Sequence, residues 1–220
     1  MPSLSYAAQL LVEGKNDKHV VWALCQQHNV PENFTVEMPS SDTGGIDELL
    51  ESIPVRLKIS RLHALGIVLD ADQDLQERWR AVRQRIINFG YVQVPEQPSA
   101  QGTIIINQGK PRVGIWLMPN NELSGMLEDF VAYLIPEGDP LALKAIAILE
   151  NIEKDGINKY SQIHHSKAFI HTWLAWQQNP GQPMGTSITS RVLDHENLIA
   201  VSFVNWLIGL FAPDTEAPPA

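Results

Sequence analysis

The sequence predicts an α/β fold: a mainly parallel sheet of about four strands, covered on both faces, with further helices toward the C-terminus. Three observations predict it. Short unbroken apolar runs alternate with amphipathic segments through the first half, and strands apolar on both faces belong to a parallel sheet buried between helices. Beyond residue 118 the apolar spacing becomes helical. The chain has 220 residues, 44% of them apolar and 19% charged, which is a globular composition long enough to bury a core without staples.

Gln9 to Val12 reads as the first strand, stopping at Glu13-Gly14. Asp17 then stands where an N-cap should, with Val20, Val21, Leu24 and Cys25 at helical spacing after it. Phe34 to Met38 reads as a second strand, Ser40 to Gly45 as a loop, and Ile46 to Ile53 as a helix. Leu65 to Leu69 is a third strand ending at Asp70, and Asp74 to Asn88 an exposed helix. Gln93 to Gln108 carries two prolines and then three isoleucines, the pattern of a hairpin or an edge strand. Val113 to Met118 is the fourth apolar run. Met126–Leu134, Leu141–Glu153, Ser166–Gln178 and Asp194–Leu210 follow as helices, and Pro180 to Ser187 as a loop rich in Gly and Pro. The expected division is a core over residues 1–135, a helical extension packed on it over 136–212, and a flexible tail over 213–220.

Composition narrows the function classes. Sixteen basic residues against twenty-five acidic ones leave a net charge of −9, so the molecule as a whole repels nucleic acid unless bound cations or local basic patches reverse the field. The single Cys25 excludes an internal disulfide and a cysteine-built zinc site, and both absences fit a reducing cytoplasm. Met1 to Val12 lacks the positive start of a signal peptide. Leu198 to Ala212 is too short for a membrane span and reads as a buried helix.

Two strands end in acid: Leu10-Leu11-Val12-Glu13-Gly14 and Ile67-Val68-Leu69-Asp70-Ala71-Asp72. Ligands of open parallel sheets bind beyond the carboxyl ends of the strands. If these strands are neighbours, Glu13, Asp70 and Asp72 converge, and a hard cation relieves their mutual repulsion. Mg²⁺ fits, because it takes oxygen ligands and needs only one or two carboxylates besides water and phosphate. Asp74 is either a further ligand or the N-cap of the next helix.

Val12-Glu13-Gly14-Lys15-Asn16-Asp17 followed by Val68-Leu69-Asp70-Ala71-Asp72 resembles the signature of the Toprim domain, shared by topoisomerases, primases, OLD-family nucleases and small maturation ribonucleases. The likeness covers roughly Leu10 to Asp74. It is strongest to small stand-alone prokaryotic Toprim-like proteins and to the OLD-type nuclease domain. It implies a three-layer, Rossmann-like core and a Mg²⁺-assisted phosphoryl-transfer site, with Mn²⁺ able to substitute. By family role Glu13 is the general acid/base, and Asp70 and Asp72 hold the metal. The third acidic position usual in topoisomerases and primases is represented by Asp74.

Other residues divide between two readings. Glu128 and Asp129 either complete a second metal site, as in the late acidic motif of OLD-type domains, or complement a helix dipole. Ser40 to Gly45, with Ser41, Gly44 and Gly45, is either a phosphate cradle or a capped turn. Lys15 and Lys167 are candidates for charge neutralisation at a phosphate, or solvated lysines. His164 and His165 read as a surface pair or a helix cap rather than metal ligands. Phe169, Ile170, Trp173 and Trp176 read as core rather than as stacking platforms. Arg78, Arg80, Arg83 and Arg85 form the densest basic patch, and Arg78 and Gly14 join the candidates for phosphate or nucleic-acid contact.

The function expected from the sequence is metal-dependent phosphodiester cleavage on DNA or RNA, with a homodimer or a partner ATPase as conceivable company. The alternatives are a non-catalytic module binding a protein or nucleotide, and a small-molecule phosphotransferase or phosphatase. Catalysis on nucleic acid calls for clustered acids in an open cleft with a basic rim. A binding module calls for a cleft filled by side chains, and a small-molecule enzyme for a narrow closed pocket.

Overall fold

The computed structural model describes residues 7–39 and 45–211. Its elements are β1 (Ala8–Leu11), α1 (Lys15–Gln27), β2 (Thr35–Glu37), α2 (Gly45–Arg56), β3 (Ala64–Asp70), α3 (Leu75–Asn88), β4 (Thr103–Ile105), β5 (Arg112–Met118), α4 (Leu127–Tyr133), α5 (Pro140–Lys154), a 3₁₀ turn (Gln162–His164), α6 (His165–Ala175), α7 (Met184–Thr189) and α8 (Leu198–Phe211). The sheet has five strands in the order β2-β1-β3-β5-β4. The first four pair in parallel, and β4 closes one edge antiparallel to β5. The fifth strand is the Ile104 run, the edge strand among the two options for that segment.

Alternation along the strands sorts side chains into two cores. Leu10, Val12, Val68, Trp116 and Met118 face one layer, whereas Leu11, Ile67, Leu69, Ile115 and Leu117 face the other. The second layer is covered by α2 and α3 through Leu49, Ile53, Trp79, Val82 and Ile86. The first is covered by α1 and the C-terminal helices, which share that single core. The helices after residue 136 therefore complete one layer of the sheet. Gly66 and Gly114 sit side by side in register on β3 and β5. A Cβ on either would lie 2.4 Å from a leucine of this core, Leu10 or Leu210. These bare positions let α8 lie directly on the sheet.

Several boundaries differ from the sequence reading, each for a local reason. Gly14, not Asp17, is the N-cap of α1; the amide of Lys18 already donates to the Gly14 carbonyl, so Asp17 sits inside the first turn. The Pro180–Ser187 stretch is not all loop. After Pro183 the chain forms α7, and Gly185 brings it so close to α1 that a Cβ would stand 2.7 Å from the His19 carbonyl oxygen. α8 starts later than Asp194, because Asp194 accepts the Glu196 amide and holds a turn, and Asn197 accepts the Ile199 amide at the start of the helix. Of the four residues read as core on α6 and its end, Ile170 and Trp173 are buried and Trp176 is exposed. Residues 40–44 and the tail lie outside the described residues. No described helix is long and apolar enough to cross a membrane.

Candidate metal centre

The sheet register brings the two acidic strand ends together. Leu11 is level with Ile67, so Glu13, two residues past the end of β1, arrives beside the end of β3. Its Oε1 accepts the amide of Asp70 at 2.7 Å. Asp70 Oδ1 in turn accepts the amide of Leu127 at 2.8 Å, so a strand-end carboxylate caps the N-terminus of α4. The chain turns sharply after Ala71: Asp72 has φ 51° and its amide donates to the Gly125 carbonyl at 2.8 Å. This sends the Asp72 carboxylate to Arg78, one turn into α3, with which it forms an ion pair.

A cleft of about 520 Å³ opens at this end of the sheet. Five carboxylates line it: Glu13, Asp17, Asp70, Asp72 and Glu128. Gly14, Lys15, Asn16, Gly45, His164 and Lys167 also reach it. Glu128 is buried, and Lys167 Nζ stands 3.5 Å from its Oε1.

Crowding and burial show in the acidities. Burial pushes the Asp17 carboxyl up to about 7, and the charges of Glu13 and Glu128 add to the effect. Asp70 is raised well above the ordinary carboxylate range, by burial first and then by Asp17, Glu13, Glu128 and Asp72. Glu13 is raised by burial as well, against the lowering pull of the Asp70 amide and Arg78. The cleft's carboxylates are hard oxygen donors, anionic beyond what Lys15, Lys167 and Arg78 neutralise. That chemistry fits a hard divalent cation such as Mg²⁺ or Mn²⁺. The acids do not form a closed cage: among the described residues, the three ligand atoms that lie within 4.8 Å of one another belong to His28, His195 and Glu196. A Mg²⁺ ion does not require a cage, since water and substrate phosphate ordinarily complete its shell.

Of the residues singled out from sequence, Glu13, Gly14, Lys15, Gly45, Asp70, Asp72, Glu128 and Lys167 meet in this cleft. Two proposed metal ligands do not. Asp74 is exposed and serves as the N-cap of α3, accepting the amide of Glu77 at 2.9 Å. Asp129 folds back to accept the amide of Met126 at 2.8 Å and takes the Ser166 hydroxyl on its other oxygen. Arg78 stands one residue removed, on Asp72. Ser41 and Gly44 lie outside the described residues. Arg83 and Arg85 each spend a donor on a backbone carbonyl, of Pro95 and Ala81, and Arg80 on that of Gln76, and none of the three lines the cleft. Adjacent histidines diverge as helical geometry demands: His165 pairs with Glu153 at 2.7 Å, whereas His164, the N-cap of α6, faces the cleft.

Sequence reasoning missed Asp17 as a site residue. A signal existed: Asp17 lies four residues after Glu13, with Gly14 between them.

Residues 7–212 match a family model described as a protein of unknown function, DUF3226. No curated protein and no solved structure matches the chain.

Proposed function

We propose that this chain, which belongs to the DUF3226 family, is a Mg²⁺- or Mn²⁺-dependent phosphodiester-processing enzyme of the Toprim type, a nuclease acting on DNA or RNA. The observation that carries the reading is the gathering of five carboxylates from three stretches of chain at the C-terminal ends of β1 and β3. A protein that only needed a stable core would not bury Asp17 and Glu128 beside Asp70. The cleft is open, not filled by side chains, and Lys15, Lys167 and His164 stand at it. Both features favour catalysis over a binding module or a closed small-molecule pocket.

The residues divide the work. Asp70 and Asp72 would hold the cation, with Glu128 and Asp17 lining the same cleft. The cation, when bound, supplies charge neutralisation at the phosphate and a more acidic water. Glu13, whose carboxyl burial makes less acidic than an ordinary carboxylate, carries a proton to or from the reacting oxygens. The Asp70 amide at 2.7 Å fixes its carboxylate. Arg78 orients Asp72 and holds down its charge. Lys15, exposed at the start of α1, and Lys167, over Glu128, are placed to meet phosphate oxygens and offset the net charge of −9.

The test is a Mn²⁺ titration read by electron paramagnetic resonance, comparing wild type with an Asp70→Asn/Asp72→Asn variant of demonstrated fold, followed by a panel of labelled DNA and RNA substrates. The expected result is binding and Mg²⁺-dependent cleavage by wild type, with both lost in the variant. If wild type binds no Mn²⁺ even with an oligonucleotide present, the enzyme reading falls.

A further inference from the structure

A second constellation lies at the opposite end of α1. His28 is the C-cap of that helix, thirteen residues and about 20 Å along the axis from the cleft. Its Nε2 lies 2.9 Å from the carbonyl oxygen of His195, in the turn before α8. A carbonyl only accepts, so Nε2 carries the hydrogen and Nδ1 keeps the free lone pair. The two imidazoles meet edge to face with centroids 5.3 Å apart.

His195 is the unexplained member. Its side chain is 12% exposed, and its Nδ1 is shut off from solvent with no hydrogen bond to satisfy it. Glu196 Oε1 comes within 3.2 Å of that nitrogen, yet outside hydrogen-bond alignment. One ligand atom from each of His28, His195 and Glu196 falls within 4.8 Å of the other two. Neighbouring Asp194 does not compete, because its carboxylate accepts the Glu196 amide at 2.9 Å and holds the turn.

We propose that His28, His195 and Glu196 form a binding site for a divalent transition cation, with Zn²⁺ the best match. Two imidazoles and one carboxylate are the donors such borderline ions prefer, and three protein ligands leave a fourth position for water. The bond from His28 Nε2–H to a backbone carbonyl is the outer contact that ligating histidines ordinarily make; it orients the ring and selects the tautomer. The ion ties the end of α1 to the α7–α8 connection, where only Gln27 to Thr189 and His28 to His195 otherwise bridge by side chain in the described contacts. The site is distinct from the acidic cleft in donor type as well as in place, so neither proposal depends on the other.

Co²⁺ serves as the probe, because its visible absorption reports a nitrogen- and oxygen-ligated, low-coordinate site, and Zn²⁺ displaces it. The full chain is titrated as wild type, Glu196→Gln, His28→Gln and Asp70→Asn/Asp72→Asn. Glu196 is exposed, so its variant folds. Glutamine at position 28 retains an amide donor for the His195 carbonyl. The expected result is one absorbing Co²⁺ per chain in wild type and in the cleft variant, bound at least tenfold more weakly in Glu196→Gln and His28→Gln. Three results would overturn the proposal: no absorbing Co²⁺ in wild type, equal affinity in Glu196→Gln and His28→Gln, or loss of the signal in the cleft variant alone.

Discussion

Asp17→Asn isolates the electrostatic strain of the cleft. Asp17 is 7% exposed, and its carboxyl is pushed up to about 7 from an ordinary 3.8 by burial and by Glu13 and Glu128. The folded chain thus holds this proton more tightly than the unfolded chain. Asp17 costs no stability below the unfolded pKa of 3.8, and its penalty grows as pH rises until it levels off above about 7. Each pH unit inside that window is worth about 1.4 kcal/mol at most. Asparagine keeps the shape and the acceptor oxygen but carries no charge. The variant should therefore gain on wild type by about 2–3 kcal/mol between pH 5 and pH 8, or ~5–10 °C in Tm for a chain of this size. Sharing of the proton with Asp70 and Glu13 lowers the figure toward the bottom of that range. Thermal unfolding by circular dichroism at pH 5 and pH 8, with and without Mg²⁺, measures it. Mg²⁺ should narrow the gap at pH 8 by stabilising wild type, since a cation removes the same repulsion. An Asp17→Asn variant that is less stable than wild type at pH 8, or whose advantage does not change with pH, would refute the reasoning.

Further expectations follow from other contacts. Gly114→Ala forces a Cβ to 2.4 Å from Leu210, and Gly185→Ala forces one to 2.7 Å from the His19 carbonyl; each should cost about 1–3 kcal/mol in urea unfolding, while Gly209→Ala, with its nearest atom at 3.4 Å, should lose nothing. Lys167→Met leaves the buried Glu128 carboxylate without its 3.5 Å partner; because the lysine is half exposed, the loss should be about 1–3 kcal/mol in metal-free buffer, and Mn²⁺ or a second change, Glu128→Gln, should recover most of it. Burial, aided by the charge of Glu32, pushes the Cys25 thiol up to about 12; it should resist aromatic disulfide reagents in the native chain at pH 8 and react at once in urea.

The parts of this fold that were legible in the sequence are those set by local pattern. β3 and β5 announce themselves because both faces of each are buried, so seven-residue stretches stay almost wholly apolar. The parallel arrangement follows from the helices between them. Short or mixed segments were less clear: α7 hides in a proline- and glycine-rich stretch because its helicity is imposed by the groove of α1 it fills. The five-strand count rested on β4, three residues that are a strand only because β5 offers them an edge.

The site divides the same way. Glu13, Asp70 and Asp72 could be named from sequence alone, since acids that end buried strands must emerge at one edge of a parallel sheet. Their meeting required β1 and β3 to be neighbours, a long-range pairing that no local pattern encodes. Glu128 and Asp129 are adjacent in sequence and equivalent in chemistry. The helical turn between successive side chains sends one into the cleft and the other back to cap its own helix. Asp17 read as a cap for the same reason: its distance from Glu13 along the chain was visible, but its burial against Asp70 and Glu128 was not. The sequence by itself determined which residue types end which strands. Only the tertiary structure decided which of those charges share one low-dielectric cleft, because that depends on strand order and helix docking, interactions between residues far apart in the chain.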